Sequence, residues 1–82
     1  MSLASPSAPL SAAQARAKSI GYLTLIYTGE RLPLQVLHSA AGHFIGTQDD
    51  EGPSRESVEY FPTRQSAQQA LDTGAWMQRR HP

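Results

Sequence analysis

The clearest alternation of hydrophobic and polar positions runs from Ser57 into the stretch ending at Gly74. Val58 and Tyr60 alternate with Ser57 and Glu59, the period of two expected of a strand with one buried face. Pro62 has no N–H for a ladder, so pairing should stop there. Thr63 can then cap a helix by accepting from a free amide of the first turn. Ala67, Ala70, Leu71 and Gly74 follow at offsets of three, four and seven, which is one face of a helix. Gly74 suits its C-terminal end, because glycine takes the left-handed conformation without a Cβ penalty.

Upstream, the pattern predicts three further strands. Tyr22-Leu23-Thr24-Leu25-Ile26-Tyr27 is rich in β-branched and aromatic residues. Leu32 to His38 alternates, with Leu32, Leu34 and Val36 on one side, and His43 to Thr47 follows. Turns are expected at Thr28-Gly29-Glu30-Arg31 and Ser39-Ala40-Ala41-Gly42, with a polar loop over residues 48–56. Pairing Tyr27 with Leu32 and His38 with His43 sets Leu23, Leu25, Leu34, Val36 and Ile45 on one face. Val58 and Tyr60 can join it. The expected fold is therefore α+β: a four-stranded antiparallel meander with one C-terminal helix packed on one face (ββββα). Residues 1–19 read as a disordered tail, 20–78 as one small domain, and 79–82 as a basic end.

The tail expectation rests on composition. Met1 to Ser19 is rich in Ser, Ala and Pro and holds no aromatic or acidic residue, so it has little to bury against its ordering entropy. An organelle transit peptide shares this composition, but two basic residues are thin for one. Eighty-two residues bound the chain to one domain. The absence of cysteine removes disulfides, thiolate metal sites and a Cys nucleophile, and fits a reducing, cytoplasmic setting. No apolar run reaches the length of a membrane span. The overall charge is zero, yet from Ile20 onward the chain is two charges negative. That balance is unsuited to neutralising many phosphates.

Candidate chemistry is sparse. His38 and His43 flank a turn and could face each other, but a zinc site wants three or four ligands, and no further one is fixed nearby. No Gly-x-Ser-x-Gly elbow is present, and each turn Ser is explained by turn formation. The expectation is a non-enzymatic protein with no catalytic residue, cofactor or metal. The acidic loop Asp49-Asp50-Glu51-Gly52-Pro53-Ser54-Arg55-Glu56 lacks the spaced ligands of an EF-hand and reads as a solvated or partner-binding loop. The sheet face away from the helix would carry Tyr22, Leu37, Phe44 and Phe61, with Tyr22, Leu37 and Phe44 in one apolar row. Trp76, turned back at Gly74, is expected to seal the helix-side core and leave that row open.

Phe61, Thr63, Ala67, Ala70 and Leu71 also stand in a spacing that resembles the strand-to-helix junction of AP2-like, sheet-reading DNA modules found at integrase N-termini. The resemblance implies a sheet-plus-helix architecture and a nucleic-acid-associated accessory role, although the basic residues such a sheet would put on DNA are missing. Arg79, Arg80, Arg16 and Lys18 are the cationic handles left for that reading. The first expectation for function is a protein-interaction module, binding a protein partner or itself, with no membrane association. Its candidate residues are Tyr22, Leu37, Phe44 and Phe61 on the sheet, and Asp49, Asp50, Glu51 and Arg55 in the loop.

Overall fold

The structure is a computed structural model and describes residues 10–82. Its order is α1 (Ala12–Ala17), α2 (Tyr22–Thr28), β1 (Gln35–Ser39), β2 (Gly42–Asp49), β3 (Gly52–Arg55) and α3 (Arg64–Thr73). The strands form one antiparallel sheet in the order β1-β2-β3. The α+β class and the antiparallel sheet stand. The four-stranded meander with a single helix does not: among the described residues there are three strands and three helices.

The junction into α3 follows the local code. Thr63 Oγ1 accepts from Ser66 N at 3.0 Å, and Ser66 Oγ accepts from Thr63 N at 3.3 Å, so two orphan amides are satisfied reciprocally. At the other end Gly74 is left-handed, with φ 76°, and its N–H bonds Ala70 O. The first hairpin also adopts the register its turn predicts, with His38 opposite His43 and Val36 opposite Ile45. Leu34, Ile45, Ala70 and Trp76 form the core between sheet and α3, with Phe61 and Leu71 against it.

The first expected strand is instead α2, and the cause lies 33 residues away. The Glu56 carboxylate is fully buried at the start of this segment, where it accepts from Leu23 N at 2.9 Å and Thr24 N at 3.0 Å. It thus supplies the N-terminal cap that Gly21 has no side chain to make. Its negative charge also suits the positive end of the peptide dipoles. Gly29, left-handed at φ 77°, closes the other end by donating to Leu25 O. These tertiary bonds override the strand propensity of the local residues.

The other departures concern the sheet. The polar stretch 48–56 is not a loop, because Asp49 pairs with Gly52 and Thr47 with Ser54 in a tight β2–β3 hairpin. Asp49 Oδ1 accepts from Glu51 N at 2.8 Å and sets the turn. Pro53 is tolerated because β3 is an edge strand. Beyond Arg55, both Glu56 N and Ser57 N donate to Ile45 O, two residues against one, which is a bulge. The expected last strand then fails to form a ladder. Arg55 Nη1 takes the carbonyls of Ser57 and Val58, each at 2.8 Å, and Ser57 Oγ takes Ile45 N. The segment meets β2 again at the isolated bridge between His43 and Phe61.

Residues 1–9 of the expected tail lie outside the described residues. From Ser11 the chain is helical and packed. Ser11 and Gln14 cap each other across α1, and Ala15 is fully buried. Arg16 lays its guanidinium 3.9 Å from the centroid of the Trp76 ring and donates to Gly74 O at 3.0 Å. Docking needs no large apolar residue here, only a small one and a stacked cation. Arg16→Ala should therefore cost about 1–2 kcal/mol, the sum of a cation–π contact and a hydrogen bond. Thermal melting checks this, and an unchanged midpoint would show that α1 contributes nothing.

Candidate functional site

The bulged segment after β3 and the chain beyond α3 run alongside one another. Trp76 anchors the return in the core, and Ser57 then bridges Gln78. Val58 N donates to Met77 O at 2.8 Å, and Arg79 N donates to Glu56 O at 2.8 Å. The Glu59 carboxylate grips Met77 N with both oxygens, at 3.1 and 3.0 Å. Antiparallel neighbours share a face, so this pairing sets Val58 and Met77 side by side. Both remain outside the core, at 47 and 63 % exposed, as does Tyr60 at 42 %.

Arginines frame these residues. The Arg55 guanidinium lies 4.5 Å from the centroid of the Tyr60 ring while it holds the carbonyls of Ser57 and Val58. Arg79 Nη1 donates to Arg55 O at 3.0 Å. Arg55, Val58, Arg79, Arg80, His81 and Pro82 line one shallow hollow. The bonds of Arg55 and Arg79 go to backbone carbonyls and not to carboxylates. They fix the guanidinium positions while leaving the positive charge of the corner unspent.

The site residues expected from the pattern are distributed differently. Leu37 and Phe44 are cross-strand partners as expected. Tyr22 has left the row, because it opens α2, half-buried beside Gln78, Arg79 and Arg80. Phe61 packs against the helix-side core. Trp76 does seal that core, yet the opposite face is not open. Phe44 is only 5 % exposed, met edge-on by Tyr60 with centroids 5.9 Å apart. Asp49, Asp50 and Glu51 sit together at the tip of the β2–β3 hairpin, and Arg55 ends β3 at the arginine corner.

The structure thus joins Arg55 to Val58, Tyr60, Arg79 and Arg80, with Met77 paired to Val58 and Phe44 of the sheet reached through Tyr60. Alternation around Glu59 does mark Val58 and Tyr60 as a pair. It cannot say whether the pair faces the core or the solvent, and nothing in the sequence placed Met77 beside them.

His38 and His43 do meet, with ring centroids 4.2 Å apart and planes 16° from parallel. The rings stack face to face, so their in-plane nitrogen lone pairs do not converge on one point. Among the described residues no group of three or more His, Cys, Asp or Glu could hold a metal ion, and no helix is long and apolar enough to cross a membrane. Compared with known protein families, curated proteins and solved structures, the chain matches none.

Proposed function

We propose that this domain is a non-enzymatic protein-interaction module that binds through the edge formed by Arg55, Val58, Tyr60, Met77, Arg79 and Arg80. The observation that carries the reading is the exposure of Val58, Tyr60 and Met77 in one neighbourhood. A domain this small has few apolar side chains, and an exposed cluster of them is characteristic of an interaction surface. Arginine and tyrosine are also the residue types that anchor protein interfaces, since both combine apolar area with directed hydrogen bonds. Backbone bonds to Met77 and Val58 hold the edge in place before a partner arrives, which lowers the ordering cost of binding.

The arginine corner raises the nucleic-acid alternative, and its neighbour weighs against it. Pro82 lines both the hollow with Arg55, Arg79 and Arg80 and the next one, which holds Asp49 and Glu51. A phosphate backbone laid along the corner would run into those carboxylates.

A benzophenone side chain at position 77 tests the reading in native extract. It should form discrete adducts with protein that disappear when Val58→Ser and Tyr60→Ser are introduced. Val58→Ser alone, at an exposed position, should move stability by less than about 0.5 kcal/mol. Labelled duplex DNA and single-stranded RNA should show no saturable binding at 50 mM salt. A saturable complex that weakens steeply by 200 mM salt would replace this reading with the nucleic-acid one.

A further inference from the structure

We infer that the partner this edge fits is a second copy of the chain. The two copies dock about a two-fold axis that sets the acidic β2–β3 tip of each on the arginine corner of the other. The inference rests on the reading of the edge as an interaction surface and adds the identity of its occupant.

The starting observation is the placement of charge along one short strand. Asp49, Asp50 and Glu51 precede β3, and Arg55 ends it, with Arg79, Arg80 and His81 beside Arg55. Gly52 and Arg55 are separated by about 10 Å of extended chain. A two-fold axis across the middle of β3 reverses its direction in the second copy. Acidic tip then lies over basic corner, and the same contact is made a second time on the other side of the axis. That self-complementarity is what a closed, isologous dimer requires.

Among the described residues neither charged group is used up within its own chain. The hydrogen bond of Asp49 goes to Glu51 N, and those of Arg55 and Arg79 go to carbonyls. Both ends also carry exposed apolar side chains. Val58 and Met77 flank the basic corner, while Tyr27, 58 % exposed, lines the hollow that contains Asp49 and Glu51.

Charge complementarity selects a second copy over an unrelated acidic protein. An acidic partner on the corner must lie next to Asp49 and Glu51, where like charges repel it. A second copy brings its own arginines to that place, so both ends are neutralised together. Pro53 determines the kind of contact. It removes a main-chain donor from the edge strand, so the copies meet through side chains and do not extend the sheet.

Sedimentation equilibrium of the full chain at 50 mM NaCl and concentrations to 200 µM is the experiment. Twice the monomer mass is expected, with dissociation at least tenfold easier at 500 mM NaCl. Asp50→Lys with Glu51→Lys makes both ends positive, and Arg79→Glu with Arg80→Glu and His81→Glu removes the positive corner. Each variant alone should be monomeric, and their equimolar mixture should regain the dimer. Arg80→Glu, at an exposed position, is the variant least able to disturb folding, and it should weaken self-association at least fivefold.

A wild-type chain that stays monomeric overturns the inference. So does a dimer indifferent to the charge reversals, or a mixture that fails to reassociate. The two readings can fail separately. Position-77 adducts to other proteins from a monomeric chain would remove the dimer and keep the interaction edge. A charge-dependent dimer unaffected by Val58→Ser with Met77→Ser would keep the dimer and remove the apolar edge.

Discussion

Glu56→Ala is expected to be the most destructive single substitution in this domain, at about 3–5 kcal/mol. The side chain is fully buried and accepts from Leu23 N, Thr24 N and Gln78 Nε2, the last at 2.7 Å. No cation balances it within this network. Amide dipoles at the start of α2 and the Gln78 amide do so instead. Truncation would leave the Leu23 and Thr24 amides unsatisfied, take one of three acceptors from Gln78 Nε2, and open a void where α2, the bulge and the C-terminal return meet. A domain of this size typically has only 5–15 kcal/mol in total, and each kcal/mol lowers the melting midpoint by about 4–8 °C. A fall of more than about 12 °C should follow, together with loss of amide-exchange protection at Leu23 and Thr24. Glu56→Gln keeps one carbonyl oxygen and should lose less. A Glu56→Ala protein melting within about 3 °C of wild type would show that α2 does not depend on this carboxylate.

Trp76→Ala comes second, at about 3–5 kcal/mol for removal of a large core side chain. The indole lies among Leu34, Ile45 and Ala70, with Arg16 stacked upon it. Among the described residues its Nε1 is buried without a hydrogen-bond partner, so the residue stabilises through contact area and its ring face. Trp76→Phe should therefore recover more than half of the loss, as it surrenders no hydrogen bond. Because Arg16 sits on the ring, Arg16→Ala and Trp76→Ala should be non-additive by about 0.5–1 kcal/mol. Urea unfolding of the two single variants and the double variant measures the coupling. Strict additivity would remove the stacking contact from the account of how α1 is held.

These two residues also mark the limit of what the chain discloses locally. Thr63, Ser66 and Gly74 act on amides within four residues of themselves, so the ends of α3 could be read directly. The hairpin at Ser39–Gly42 is equally local, and the stacked pair His38 and His43 confirms its register. The capping box of Ser11 and Gln14 is equally local, although the Ser-, Ala- and Pro-rich composition around it points to a tail. The six residues from Tyr22 to Tyr27 have the propensities of a strand. They are a helix because Glu56, distant in sequence, caps their amides. Ser57 to Phe61 has the alternation of a strand, and Arg55 and Ser57 divert the groups a ladder would use. For the candidate site, Arg55, Arg79 and Arg80 could be named from the sequence, but their company could not. Val58 and Met77 become neighbours only because the chain after Gly74 turns back beside the bulge, while Arg55 ties Tyr60 to Val58. Short-range hydrogen bonds determined the caps and the turn from sequence alone. The helix at Tyr22–Thr28 and the return beside the bulge depended on partners that only the assembled fold supplies, the buried Glu56 carboxylate foremost.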